Sequence, residues 1–203
     1  MKESMKLILA SASPRRKELL NRLKLDFKVE PSKINEDQYK AENPIELVKL
    51  LAVEKAREVG SRYDNGIIIA ADTIVVLDKR ILGKPADKKE AIKMLESLSG
   101  REHDVHTGIA FLIKDQNNSR LISDIDSSIV KMRNYNIDEI NSYINTGEYK
   151  GKAGSYAIQG FGSLLVKEIK GSYFTIMGLP IHKLAEVLPE YDINLYNKKG
   201  DII

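Results

Sequence analysis

Three positive side chains, Arg15, Arg16 and Lys17, follow Ser13-Pro14 in the stretch LASASPRRKELL, Leu9 to Leu20. Ser13 suits a helix cap and Pro14 the first helical position. Acidic residues ordinarily come next; a cation there works against the helix dipole by about 0.3–1 kcal/mol. An anion at that end removes the conflict, because free backbone N–H groups, the dipole and the guanidinium forks all point at its oxygens. The small residues Ala10, Ser11, Ala12 and Ser13 let such a ligand approach the backbone. Solvated arginines after an ordinary turn are the other reading, and spacing alone leaves both open. No Walker A loop is present.

Asp72 interrupts the apolar run IIIAADTIVVL. A strand of this kind is buried on both faces, where a carboxylate needs a partner, a metal ion or a catalytic role. The alternative is a strand end or bulge with Asp72 capped locally. Lys84, in LGKP, has its reach restricted by Gly83 and Pro85, against a plain reading as a solvated turn lysine. Lys55 falls one helical turn after Leu51, so its ammonium either emerges into a cleft or snorkels to solvent. GKAGSYAIQGFG, Gly151 to Gly162, holds four glycines in twelve residues. It reads as a loop that wraps a ligand, with the Gln159 amide as donor and acceptor for a nucleobase edge, or as a structural glycine-rich hairpin. His103 and His106 point to opposite faces of a strand and make poor joint metal ligands. Neither they nor His182 is given a role.

These residues need a scaffold. The pattern predicts a strand over 6–12, a helix over 14–24, a strand over 26–31 and a polar loop through Asn43. A helix follows from Pro44 to Val59, then a long strand from Ile67 to Leu77, and a helix over 87–99 closed by Gly100. Strands near 103–114 and 120–133 precede a helix at 137–146. Strands near 163–169 and 173–177, joined by a hairpin turn at Gly171, lead to a last helix ending at Leu188. This is an α/β chain with a mixed sheet. Its 203 residues are enough for one sizeable core. Zero cysteines exclude disulfides, thiol nucleophiles and thiolate metal sites, and a cytoplasmic setting is expected. The net charge of +3 comes without a basic run or stripe, so no nucleic-acid partner is expected. No apolar run is long enough to span a membrane.

Taken together, LASASPRRKELL, the VEKA helix segment, AADTIVVLDKRILGKP, LSGREHDVHTG, GKAGSYAIQG and GSYFTIMGLP resemble the Maf family of nucleoside triphosphate pyrophosphatases. The likeness runs from about Lys6 to Leu188 in the family's order and spacing, leaving the tail 189–203 outside it. The resemblance implies one domain over residues 1–203 with an elongated mixed β-sheet, flanking helices and two lobes around a cleft, similar to inosine triphosphate pyrophosphatase. It implies hydrolysis between the α- and β-phosphates, a divalent metal (Mg²⁺ or Mn²⁺), a homodimer, and an association with septum formation.

By the same resemblance Asp72 is the catalytic aspartate, and Ser11, Ser13, Arg15 and Arg16 form the phosphate-binding turn. Glu36, in KINED, serves metal or water beside Asp72, and Lys55 and Lys84 are the two lysines. Arg15, Thr73 and Gln159 match the branch acting on dTTP and UTP; a 7-methyl-GTP branch carries tryptophan, glutamine and glutamate there. Two departures from the family stand out: Gly151 stands where an aspartate is common, and SYAIQG where AYGIQG is commoner. Two alternatives accompany this expectation: a non-catalytic nucleotide-binding regulator, and a pyrophosphatase for another nucleotide such as 7-methyl-GTP or ITP.

Overall fold

A computed structural model describes residues 5–116 and 118–196. Its centre is β3 (Gly66–Leu77), whose residues are almost all buried. On one edge of β3 lies β5 (Glu102–Lys114), antiparallel, in register from Gly66 opposite Lys114 to Val76 opposite Asp104. On the other edge β1 (Leu7–Leu9) pairs in parallel with residues 67–69, and β4 (Arg80–Leu82) pairs antiparallel with residues 75–77. Beyond β1 lies β2 (Phe27–Val29), parallel to it; beyond β5 lie β6 (Ser119–Met132) and β7 (Val166–Lys170), both antiparallel. The result is a seven-stranded sheet with flanking helices, of the mixed α/β class that the sequence predicts.

Between β1 and β4, residues 70–74 of β3 have no strand on that edge among the described residues. Asp72 and Thr73 lie in this gap, at the carboxyl end of β1, where the sheet changes from parallel to antiparallel. Open α/β sheets place ligands at such a switch point. The predicted strand over 6–12 is shorter for the same reason. After Leu9 the chain leaves the sheet, with only the Ala10 N–H still bonded to the Ile69 carbonyl at 2.8 Å, and turns across the gap.

The helix α2 (Pro44–Gly60) covers one face of the sheet. Asn43 caps it by accepting from the Glu46 N–H at 2.9 Å, and Pro44 fills the first helical position. Its buried stripe is Val48, Leu51, Ala52, Lys55, Ala56 and Val59, a helical spacing in which Lys55 takes a core position. Gly108, paired with Asp72 across β3 and β5, lets α2 lie close: an added Cβ would stand 2.4 Å from the Val48 carbonyl oxygen. The opposite face carries α1 (Pro14–Arg22), α3 (Lys88–Leu98), α4 (Ile137–Asn145), α5 (Tyr173–Met177) and α6 (Ile181–Val187) around the larger core.

Several boundaries differ from the sequence reading. Residues 173–177 form α5, not a strand, so no hairpin stands at Gly171. The aromatic and β-branched run YFTIM has strand character, but Gly178 ends it as a left-handed helix cap, φ 101°. Phe161–Leu165 is a 3₁₀ turn, and the strand follows it over Val166–Lys170. The helix expected over 14–24 stops at Arg22, because Lys24 takes a positive φ of 52°. The part of the tail within the described residues packs Tyr191, Ile193 and Leu195 on the core; 197–203 lie outside them.

Candidate active site

A cleft of about 500 Å³ opens over the gap in the sheet. It brings together the candidate site residues: Ser11, Ser13, Arg15, Arg16, Glu36, Lys55, Asp72, Thr73, Lys84 and Gln159 all line it. Consecutive strand residues point to opposite faces. Asp72 therefore faces α2 and Thr73 faces α1, and both reach the cleft only because neither β1 nor β4 covers this part of β3.

On the α2 side, Lys55 Nζ donates to Asp72 Oδ1 at 2.5 Å and lies 2.7 Å from Glu36 Oε1. The lysine and aspartate side chains are 11% and 13% exposed, that of Glu36 45%, so this is a nearly buried pair with a third member at its rim. Glu36 sits on a 3₁₀ turn, Glu36–Gln38, held by Asn35, whose side chain accepts from the Asp37 N–H at 3.2 Å. Burial pushes the Glu36 carboxyl up, but the Lys55 hydrogen bond and the charges of Lys55, Lys84 and Arg16 outweigh it and hold it below the usual value. The second oxygen of Asp72, Oδ2, has no protein partner among the described residues.

On the α1 side, Arg16 is held at three points. Its Nε donates to the Gly178 carbonyl at 2.7 Å, its Nη1 to Ser11 Oγ at 3.0 Å and its Nη2 to Thr73 Oγ1 at 3.1 Å. A guanidinium has five N–H donors, so one on Nη1 and one on Nη2 are left for a ligand. Ser11 Oγ also accepts from the Ser13 N–H at 3.2 Å, which fixes the turn. Ser13 caps α1 by backbone conformation alone, without the side-chain bond a capping serine ordinarily makes. No acidic residue lies in the first turn of α1. Burial lowers the pKa of both arginines, and Arg16 also feels Asp72, Arg15 and Glu36.

The far wall is the loop over 151–162. Gly151, φ 67°, stands in open space at its start, and the exposed Gln159 amide has no protein partner among the described residues. The loop is anchored by a residue the sequence reading missed. Glu148 accepts from the Phe161 N–H at 3.1 Å and the Gly162 N–H at 2.8 Å. Its only signal was an acid next to a glycine-rich stretch with free N–H groups. Gly178 was missed as well, because its carbonyl reaches Arg16 across 162 positions of sequence. Lys84 is exposed at the rim, and the Gly83 carbonyl beside it accepts from the Gly154 N–H at 3.2 Å, tying the two walls together.

His103 and His106 face apart, as expected. His106 Nδ1 lies 2.7 Å from Ser127 Oγ, and His103 Nε2 lies 2.8 Å from the Tyr156 hydroxyl. Burial lowers the His103 pKa to about 4 from 6.5. The unfolded chain binds the proton below about 6.5 and the folded chain only below about 4, so stability is full above pH 6.5 and falls as pH drops through that window. The loss expected by pH 4 is about 3 kcal/mol. Urea denaturation at pH 7.5 and 4.5 checks it: His103→Gln flattens the pH dependence, whereas equal slopes in both proteins contradict the assignment.

Five cationic side chains, Arg15, Arg16, Lys55, Lys84 and Lys152, line the cleft among the described residues, against three carboxylates, Glu18, Glu36 and Asp72. The balance suits a polyanion. No group of three or more acidic or histidine side chains able to hold a metal occurs among the described residues. Asp72 and Glu36, hard oxygen donors meeting at one ammonium, fit a magnesium-type ion that takes its remaining ligands from phosphate and water. No helix among the described residues is long and apolar enough to cross a membrane.

Comparison with known proteins bears on the family and the fold. A family model described as Maf-like protein matches residues 6–191, extending slightly past the likeness seen in the sequence. A dTTP/UTP pyrophosphatase of Clostridioides difficile is 47% identical over 193 residues, covering 95% of this chain and 98% of that protein. One of Pyrococcus furiosus is 46% identical over 183 residues, 90% of this chain and 94% of that protein. Among solved structures, a HAM1 protein from Coxiella burnetii matches with a TM-score of 0.52 at 18% identity, over 92% of this chain and 99% of its own, a likeness of fold. With this coverage and this level of identity, the chain belongs to the Maf-like protein family.

Proposed function

We propose that this chain is a nucleoside triphosphate pyrophosphatase that hydrolyses dTTP and UTP to the monophosphate and pyrophosphate. The observation that carries the reading is the placement of Asp72. Its free Oδ2 faces a cleft whose opposite side presents the fixed Arg16 fork and the N-terminus of α1. In this reading the triphosphate lies across the SASPRR turn. The two unused N–H donors of Arg16, with Arg15 and Lys84, balance charge on the phosphates. Asp72 Oδ2 accepts a proton from the water that attacks the α-phosphorus. Lys55 holds Asp72 through its other oxygen and so fixes the direction of that lone pair.

A divalent cation, Mg²⁺ or Mn²⁺, would be held by Asp72 and Glu36 and would supply further charge neutralisation at the phosphates. Gln159 faces the cleft with both donor and acceptor free, which suits a uracil-type edge. The names of the relatives support the same substrates. A homodimer, which the family resemblance implies, and a cytoplasmic setting, which suits a chain without cysteine, belong to the proposal.

The test is pyrophosphate release from dTTP, UTP, CTP, dATP, GTP, ITP and 7-methyl-GTP with Mg²⁺ or Mn²⁺. Preference for dTTP and UTP supports the reading. Preference for 7-methyl-GTP or ITP keeps the chemistry and overturns the assignment of Arg15, Thr73 and Gln159. Binding without release from any of them makes the protein a nucleotide binder.

A further inference from the structure

Thr107 lines no part of the cleft and is fully buried, yet it is hydrogen-bonded to the residue that steadies Arg16. Thr73 Oγ1 and Thr107 Oγ1 are 2.9 Å apart, and Thr107 Oγ1 donates to the Thr175 carbonyl at 2.7 Å. An arginine only donates and a carbonyl only accepts, so the two ends fix the direction of the whole chain. Arg16 Nη2 donates to Thr73, Thr73 to Thr107, and Thr107 to the Thr175 carbonyl. The one hydroxyl hydrogen of Thr73 is thereby committed inside the protein, and only a lone pair is left for the cleft.

The same few residues close the arrangement from the other side. Thr73, Thr107 and Asp126 are opposite one another across β3, β5 and β6 and form a single polar row. Thr175, on α5 above that row, also donates its hydroxyl to Asp126. Three residues on, the Gly178 carbonyl accepts from Arg16 Nε. The segment Thr175 to Gly178 is thus fastened to the row at one end and to the guanidinium at the other. A side chain on Gly178 would crowd the junction, since an added Cβ would lie 3.0 Å from Thr73 Oγ1.

We propose that Thr107 is a positioning residue for the hydrolysis, acting through Thr73 to hold the Arg16 fork toward the cleft; this rests on the function proposed above. A fork held in advance matters most where charge grows in the transition state, so its loosening lowers kcat more than it raises KM. Thr107→Val keeps the side-chain shape and removes both hydrogen bonds. It lowers kcat for dTTP by about tenfold with little change in KM, and Thr107→Ser restores most of the loss.

The decisive comparison is a double-variant cycle. If Thr107 acts through Arg16, then Arg16→Ala with Thr107→Val is no slower than Arg16→Ala alone. Multiplying losses, an unchanged kcat in Thr107→Val, or a serine variant as slow as the valine one overturns the proposal. Should Thr107→Val not fold, Thr107→Ala takes its place in the cycle. A readout independent of turnover is solvent exchange of the Arg16 Nε–H in ¹⁵N spectra, identified by its loss in Arg16→Lys. Thr107→Val speeds that exchange by about tenfold if the fork is loosened. Unchanged exchange overturns the proposal. Absence of pyrophosphate release from the unmodified protein overturns the functional reading instead, and leaves the exchange measurement to decide on Thr107.

Discussion

Replacement of Asp72 by Asn slows pyrophosphate release from dTTP by about a hundred- to ten-thousandfold, the range a lost general base produces. Nucleotide binding measured without divalent metal is unchanged or tighter, because the cleft loses a negative charge and keeps its cations. Asparagine has nearly the same shape, and Lys55 retains Glu36 as a partner at 2.7 Å, so the fold survives the change. Pyrophosphate release beside calorimetric titration with an α,β-methylene analogue of dTTP checks both halves. Turnover kept within about tenfold places the base elsewhere, since that is less than general-base catalysis contributes.

Lys55→Met acts on the same cluster from the other side and its largest effect is on stability. The Lys55–Asp72 pair is nearly buried, and removing the ammonium leaves the Asp72 carboxylate without the counter-charge hydrogen-bonded to it. Breaking a buried pair in this way costs roughly 3–5 kcal/mol. Glu36, at the rim, can turn to solvent and suffers less. The loss therefore exceeds that of Asp72→Asn, and adding Asp72→Asn to Lys55→Met recovers part of it, because the stranded charge is then gone. Urea denaturation of the two single variants and the double variant measures this. A Lys55→Met protein as stable as the unmodified one, or a double variant whose losses simply add, contradicts the account of the cluster.

What could be read from the sequence follows from the range of the interactions. The candidate anion turn is legible because a local rule is broken: Arg15 and Arg16 stand where a helix start favours acids. Asp72 was legible because a carboxylate interrupts an apolar strand, and Lys55 because it falls in the buried stripe of α2. Residues that act through sheet register were not legible. Nothing local shows that Thr73 faces Thr107 or that Asp72 faces Gly108, since those pairings are made across β3 and β5. The Gly178 carbonyl escaped for a related reason: a backbone acceptor has no residue type to betray it. The run YFTIM was misread because its side chains favour strands, while tertiary bonds from Thr175 to the polar row and the left-handed Gly178 decide for a helical turn. The gap in the sheet, which brings both faces of β3 to one cleft, follows from the short β1 and from β4, an element the sequence reading did not contain.

The central claim is that water, activated at Asp72 Oδ2, attacks the α-phosphorus of a pyrimidine triphosphate. Hydrolysis of dTTP in H₂¹⁸O, with mass analysis of both products, tests it most directly. The account predicts the label in dTMP and none in pyrophosphate. Label in pyrophosphate, or release of dTDP and inorganic phosphate, contradicts it.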